Sequence, residues 1–147
     1  MEEPDTIGLV TVRSPGAYSE EESMKRKVMI IGGGASGMTA AIAAAREGAD
    51  AVILEHTKRP GKKILSTGNG KCNLTNLDMR KEAFRGENPG FAWKVVGEVP
   101  VKETLSFFED LGLVLTDRNG YVYPATGQAS SVLDALRFEL ERLNIPV

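Results

Sequence analysis

The sequence predicts an α/β fold with a parallel sheet and flanking helices, and three consecutive features support this prediction. A short apolar run, Val28–Ile31, leads directly into the glycine-rich turn Gly32–Gly37. An alanine-rich segment, Met38–Glu47, follows, and after Gly48 comes a second apolar run, Ala51–Leu54. Runs that are apolar at every position are typical of parallel strands buried on both faces, and alanine favours helix. The order is therefore strand, turn, helix, strand.

The turn matches the pattern G-x-G-x-x-G, which in this context is typical of a Rossmann-type dinucleotide-binding domain. Gly32 permits the tight turn, Gly34 lets the backbone approach a pyrophosphate, and Gly37 lets the helix pack closely on the strand. The free amides and the dipole at the helix N-terminus, around Ala35 and Ser36, would bind the phosphates. A glycine turn in another kind of α/β protein is the alternative.

A carboxylate, Glu55, closes the second strand 18 residues after Gly37. A carboxylate at this position accepts hydrogen bonds from the ribose hydroxyls of a dinucleotide. Its charge would also repel a 2′-phosphate, which disfavours an NADP-type ligand at this first site. A solvated acid at the end of a strand is the alternative. We interpret the neighbouring His56 as a loop residue and not as a catalytic base.

A second unusual segment, Pro60–Asn76, combines glycine, small hydroxyl residues, asparagine and three lysines. Backbone amides in such loops form concave anion-binding sites, and the lysines add positive charge. On composition alone a flexible surface loop is an equal alternative. Cys72 is the single cysteine of the chain, so no internal disulfide can form, and we interpret it as a small buried thiol.

These segments together resemble a known family. The stretches GGGASGMTAAIAAAREG and GKKILSTGNGKCNLTN are similar to bacterial flavoproteins related to aminoacetone oxidase. Members of this family are often described as NAD(P)/FAD-dependent oxidoreductases, and they include enzymes reported to reduce 3-dehydro bile acids. The later segments Gly120–Pro124 and Gln128–Val132 resemble the same family, so the similarity extends from about Met24 to the last residue.

The resemblance implies FAD bound by the glutathione-reductase-like version of the Rossmann fold, with NAD(P)H as a candidate reductant. The first turn, including Gly32, Gly34, Ala35 and Gly37, would bind the pyrophosphate, and Glu55 would bind the adenosine ribose. The second segment would lie along the pyrophosphate and the flavin through Lys63, Thr67, Gly68, Asn69, Gly70, Lys71, Cys72 and Asn73. Most members have arginine where Lys71 stands. Lysine keeps the charge but loses the two-pronged geometry, which puts the strength of that contact in doubt.

The remaining segments predict two helices and a hairpin. Val101–Leu111 is amphipathic and predicts a helix that stops at Gly112. Leu113–Leu115 and Tyr121–Tyr123 predict a β-hairpin joined through Asn119-Gly120. Ser131–Leu143 predicts a helix whose apolar face belongs to the core, with Ser131 and Asp134 at capping-box-like spacing. The stretch Leu77–Val99 shows few periodic features, and we expect a satellite aromatic cluster there, formed by Phe84, Phe91 and Trp93.

Both ends of the chain carry expectations of their own. Residues 1–23 contain six acidic residues against one basic residue and are expected to form a disordered extension, with Met24 as a candidate native start. Asn144–Val147 resembles the entry into a further strand. Because members of the family are longer, residues 24–147 are expected to be the N-terminal portion of an FAD-binding domain, without its substrate domain and closing half. The unpaired sheet edge would then be open to association with another chain.

Composition narrows the classes of function. The formal net charge of -2 gives no reason to expect a nucleic-acid or anionic-membrane partner, and no apolar run approaches the roughly 18 residues of a membrane span. One cysteine and one histidine cannot make a typical zinc site, and a cytoplasmic location is expected. The leading hypothesis is an FAD-dependent oxidoreductase, or its cofactor-binding part, acting on an unidentified small molecule. The alternatives are an NAD-binding Rossmann domain and a catalytically inactive fragment.

Overall fold

The computed structural model describes residues 26–147, in which four α-helices and five β-strands are joined by turns and two 3-10 segments. The expectations for residues 1–23 and for Met24 as the native start lie outside the described residues.

The first three elements form the predicted parallel unit. Strand β1 (Lys27–Ile31) and strand β2 (Asp50–Leu54) pair in parallel from Lys27 opposite Asp50 to Ile31 opposite Leu54, and helix α1 (Ala35–Arg46) connects them. Met38, Ala41 and Ile42 of this helix are fully buried in the core. These residues are three and four positions apart, so they lie on one side of α1, and this side packs against the sheet.

A further segment lies on the other edge of β2. The Leu54 carbonyl faces β1, because it accepts a hydrogen bond of 2.7 Å from the Gly32 amide. The amide and carbonyl of one strand residue point to the same edge, and those of the next residue point to the opposite edge. The Ile53 amide therefore faces away from β1. It donates a hydrogen bond of 2.9 Å to the Pro146 carbonyl. Pro146 thus lies beside β2, although residues 145–147 form no strand, and the expected entry into a new strand stays a prediction.

Within the described residues, the β1–β2 sheet has one face packed and one face exposed, so the expectation of strands buried on both faces is wrong. Side chains of Ile30 and Ile53 belong to the core on the side of α1. On the opposite face Met29 is 65% and Ile31 87% exposed, and Leu54 is 47% exposed. Within residues 26–147, β1 also has a strand on only one of its edges. Association with another chain through this edge stays a prediction.

The predicted hairpin is present, with one boundary moved. Strand β4 (Leu115–Arg118) pairs antiparallel with strand β5 (Tyr121–Pro124), and the short strand β3 (Thr75–Asn76) adds to the other edge of β5. The prediction that Leu113 begins the strand is wrong. Its amide instead closes the end of the preceding helix by donating to the Phe108 carbonyl at 3.1 Å.

Helix α2 (Pro89–Gly97) was not predicted, although helix α3 (Val101–Asp110) lies within the predicted range. Asn88 caps α2 by accepting a hydrogen bond of 3.0 Å from the Phe91 amide, and proline follows at the first helical position. Asparagine followed by proline is a start signal that the weak periodicity of this stretch concealed. Phe84 and Trp93 pack edge to face at 5.7 Å. Phe91 is 63% exposed, so its inclusion in this cluster was wrong.

Helix α4 (Ala129–Arg142) buries the predicted apolar face, since Val132, Leu136 and Leu140 are all buried. The predicted capping box is wrong, because the helix begins at Ala129 and Gln128 occupies the N-cap position without a side-chain hydrogen bond. Ser131 therefore lies inside the first turn, where its hydroxyl is 2.7 Å from that of Thr126.

An ion-pair network joins α4 to α1. The buried Glu139 carboxylate accepts hydrogen bonds of 2.8 Å from Arg46 and 2.6 Å from Arg142. Hydrogen bonding to Arg142, aided by Arg46, lowers the pKa of Glu139 to about 2 despite burial. Arg46 also lies over the Phe107 ring.

None of the helices between residues 26 and 147 is long and apolar enough to cross a membrane.

Candidate nucleotide-binding site

The glycine turn brings the start of α1 into direct contact with the end of β1. A Cβ at Gly37 would lie 1.9 Å from the Gly32 carbonyl oxygen, so no side chain fits there. Gly34 is the N-cap residue of α1, and a Cβ at Gly34 would enter open space. The backbone at Gly34 is thus accessible to a ligand, whereas Gly37 serves the packing of helix on strand.

The N-terminus of α1 is open to an anion. No side chain caps it, and its first turn carries no acidic residue. The first amides of a helix have no partner within the helix, which leaves those of Ala35, Ser36 and Gly37 available as donors. Together with the helix dipole they form a favourable position for a phosphate.

The Glu55 carboxylate is bound to two backbone amides, one of which belongs to the glycine turn. Its Oε2 accepts a hydrogen bond of 2.7 Å from the Gly33 amide, and its Oε1 accepts one of 2.8 Å from the Thr57 amide. Hydrogen bonds from these two backbone amides lower the pKa of Glu55 to about 2, and the bond from the Thr57 amide has the larger effect. His56 Nδ1 lies 3.2 Å from Oε1, with the imidazole 93% exposed. The carboxylate is charged at neutral pH, and it retains lone pairs for a further donor.

The second glycine segment forms 3-10 turns over Lys62–Gly70 with a kink at Thr67–Asn69. The Thr67 hydroxyl donates to the Ile64 carbonyl at 2.7 Å, and the Thr67 carbonyl accepts from the Cys72 amide at 3.0 Å. The Asn73 side chain reaches β5, where it donates to the Val122 carbonyl at 3.3 Å. These bonds hold the loop in one conformation against the antiparallel sheet.

The two glycine segments are joined at Gly61. Its amide donates a hydrogen bond of 2.7 Å to the Gly33 carbonyl in the middle of the first turn. A Cβ at Gly61 would lie 2.2 Å from Leu133 Cδ1 of α4, and the φ angle is +76°. Arg137 of the same helix donates to the Pro60 carbonyl at 3.1 Å. Helix α4 therefore positions the second segment against the first.

Two cavities lie on either side of the glycine turn. One, of about 480 Å³, is bounded by the predicted residues Gly34, Ala35, Ser36, Lys63, Thr67, Cys72 and Asn73. The other, of about 420 Å³, is bounded by the predicted residues Gly32 and Glu55, together with His56 and Val147. The remaining predicted residues, Gly37, Gly68, Asn69, Gly70 and Lys71, line neither cavity.

The larger cavity also has an apolar wall that the sequence analysis did not identify. It consists of Ile64, Leu74, Phe108, Val132 and Leu136. In the sequence these side chains have the spacing of ordinary core residues, and no local signal separates a cavity wall from a core. Cys72 is buried at the edge of this wall, as predicted. Among residues 26–147, no group of three His, Cys, Asp or Glu side chains could hold a metal ion.

A parallel strand–turn–helix–strand unit, with an open helix N-terminus and a charged carboxylate at the end of the second strand, defines a Rossmann-type nucleotide-binding domain. Residues 26–147 match the family model described as the HI0933-like protein Rossmann domain. The chain belongs to this family.

Individual relatives agree with this assignment. The chain is 51% identical over 123 residues to the 3-dehydro-bile acid delta(4,6)-reductase of Clostridium scindens, which covers 82% of the chain and 30% of that protein. It is 28% identical over 117 residues to the ribosomal RNA dihydrouridine synthase of Escherichia coli, covering 80% of the chain and 29% of that protein. The expected resemblance to a family with 3-dehydro-bile-acid-reducing members is confirmed. The chain spans about 30% of the length of these relatives.

Proposed function

We propose that this chain is the FAD-binding portion of a flavin-dependent oxidoreductase, comprising residues 24–147 of an FAD-binding domain. The observation that carries the proposal is the pair of cavities, about 480 and 420 Å³, separated by one glycine turn. A dinucleotide has two bulky ends joined by a pyrophosphate. The turn and the N-terminus of α1 suit the pyrophosphate, and each cavity suits one end.

The residues present fit FAD in both halves. Amides of Ala35 and Ser36 would bind the pyrophosphate, and Lys63, which borders the same cavity, would neutralise part of its charge. Glu55 would accept a hydrogen bond from the ribose in the other cavity. The apolar wall, together with Thr67, Cys72 and Asn73 at the two ends of the second loop, suits the flat isoalloxazine ring. When bound, FAD would supply hydride transfer, with NAD(P)H as the proposed reductant.

The proposed substrate class rests on the reductase relative. The 51% identical relative is a 3-dehydro-bile acid delta(4,6)-reductase, which supports a small molecule of the 3-dehydro-bile acid kind as the proposed substrate. Because the chain spans 30% of that protein, this activity is proposed for the whole protein and not for these residues alone.

RNA is a second candidate substrate, and one feature of the chain favours it. Residues 56–77 contain five Lys and Arg residues and no Asp or Glu, and all five are exposed. Of this group, Lys63 alone borders either of the two cavities described above. This segment has more exposed positive charge than the pyrophosphate of one dinucleotide requires, and such charge suits the phosphate backbone of RNA. Two relatives are ribosomal RNA dihydrouridine synthases. The net charge of the chain conceals this segment, because the acidic residues lie elsewhere.

Titration of the purified chain with FAD, followed by absorption and fluorescence, tests the cofactor. We expect uptake of FAD in preference to NAD+, and about tenfold weaker uptake by Lys63→Ala. Lys62→Ala is the matched control, since Lys62 is exposed and borders neither cavity. Binding of NAD+ without FAD would favour the NAD-binding alternative. Binding of neither would favour the inactive fragment.

Filter binding of an RNA hairpin at several salt concentrations tests the second candidate. We expect binding that weakens steeply with salt and that is reduced by Arg59→Ala. Absence of binding at low salt would leave the small-molecule substrate as the single candidate.

A further inference from the structure

Gly33, the central residue of the turn, has both backbone polar groups engaged by other segments. Its amide donates to Glu55 Oε2 at 2.7 Å, and its carbonyl accepts from the Gly61 amide at 2.7 Å. The peptide planes on either side of Gly33 lead directly into Gly32 and Gly34. Fixing Gly33 therefore fixes the orientation of the whole turn.

The carboxylate that holds this amide is itself anchored. The Glu55 side chain is 11% exposed, and its second oxygen accepts from the Thr57 amide at 2.8 Å. A Cβ at Gly33 would lie 2.8 Å from Pro60 Cβ and 3.2 Å from Glu55 Cβ. The turn thus packs against the end of β2 without space for a side chain.

We propose that Glu55 is a positioning residue that holds the first glycine turn in its ligand-binding form, through the Gly33 amide, before any nucleotide binds. This inference rests on the proposed function only for the identity of the ligand. It assigns to Glu55 a role in addition to the ribose contact, and it makes the two glycine segments one preorganised unit through Gly33.

The negative charge of Glu55 and its hydrogen bond to the glycine turn predict opposite effects on anion binding. A carboxylate close to a pyrophosphate site weakens anion binding by repulsion. A carboxylate that keeps the turn amides correctly oriented strengthens it, because the ligand then does not have to order the turn. Removing the charge at Glu55 therefore distinguishes positioning from a contact made to ribose alone.

The first experiment is residue-resolved amide hydrogen exchange on the full chain without ligand. In Glu55→Gln we expect the Gly33 and Gly61 amides to exchange at least about tenfold faster than in the wild type. The Ile42 amide in the core serves as an internal reference, and it should keep its wild-type rate. Glu47→Gln, an exposed acid at the far end of α1, is the control variant. Unchanged exchange at Gly33 in Glu55→Gln would overturn the proposal.

The second experiment is titration with inorganic pyrophosphate, which has no ribose. Positioning predicts that Glu55→Gln binds pyrophosphate about tenfold more weakly than the wild type, although it has lost a negative charge. Equal or tighter binding by Glu55→Gln would overturn the proposal. If the wild-type chain binds neither pyrophosphate nor FAD, the proposed function fails, and the exchange experiment still decides the role of Glu55.

Discussion

Replacing Gly61 with alanine places a methyl group where both the backbone and the core oppose it. Its φ angle of +76° is in the left-handed region, which costs a residue with a side chain about 1–2 kcal/mol. The new Cβ would lie 2.2 Å from Leu133 Cδ1, and Leu133 is 2% exposed, so it cannot turn into solvent. Overpacking of this kind costs about 1–3 kcal/mol. We therefore expect Gly61→Ala to lower the free energy of unfolding by about 2–5 kcal/mol.

Gly48→Ala is the matched control for this change. Gly48 has a φ angle of +83°, and a Cβ there would meet no atom within 4 Å. It should therefore show the backbone cost alone, about 1–2 kcal/mol. Urea unfolding followed by far-UV circular dichroism measures both variants. In a double-mutant cycle with Leu133→Ala, we expect a coupling of about 1–3 kcal/mol, because truncation of Leu133 removes the clash.

Equal destabilisation by Gly61→Ala and Gly48→Ala, with no coupling to Leu133→Ala, would refute this reasoning. The two variants should also differ in ligand binding. Gly61 donates to the Gly33 carbonyl, so a shifted Gly61 should weaken FAD binding at a temperature where the variant is folded. Gly48→Ala lies beyond the far end of α1 and should bind FAD like the wild type.

Three further predictions concern other parts of the chain. Glu139→Gln should lower the free energy of unfolding by about 3 kcal/mol at neutral pH, with the exposed Glu141→Gln as control. Because the pKa of Glu139 falls from 4.5 to about 2 on folding, its contribution to the free energy of unfolding is present above pH 4.5 and is lost as the pH falls toward 2. Urea unfolding of the wild type and of Glu139→Gln across this pH range measures the contribution. A difference between the two proteins that stayed constant with pH would contradict the assignment. Gly37→Ala should abolish FAD binding, since its Cβ would lie 1.9 Å from a backbone oxygen, whereas Gly97→Ala in α2 has open space and should bind normally in the same titration. Asn88→Ala should destabilise α2 by about 1 kcal/mol, seen as faster amide exchange in that helix, and Asn88→Asp should not.

Local patterns predicted the elements whose signals are contained in a few neighbouring residues. The unit from β1 to β2 combines strands that are apolar after their first residue, a glycine turn and an alanine-rich helix, and these preferences agree with one another. Helix α4 was predicted from its apolar spacing, although its first turn was not. The start of α2 was missed because its signal is a cap and a proline, while the side chains that follow are not buried.

The candidate site was predicted in part for the same reason. The sequence identified Glu55 as a carboxylate at the end of β2, because that position follows directly from the length of the strand. It could not reveal that the same carboxylate binds the Gly33 amide. That contact depends on the register in which β1 pairs with β2, which places Gly33 beside Glu55.

The sequence of this protein by itself determined the features that a single segment encodes. These are the strand–turn–helix–strand order, the close approach of helix and strand at Gly37, and the carboxylate of Glu55 at the end of β2. The tertiary structure decided what joins distant segments. The hydrogen bond between Gly61 and Gly33 and the packing of Leu133 on Gly61 join segments that are distant in the sequence. The predicted residues divide between two cavities, and α4 lines the larger of the two. The physical reason is that hydrophobic burial is non-directional, so the apolar face of α4 specifies that it is buried but not which backbone it positions.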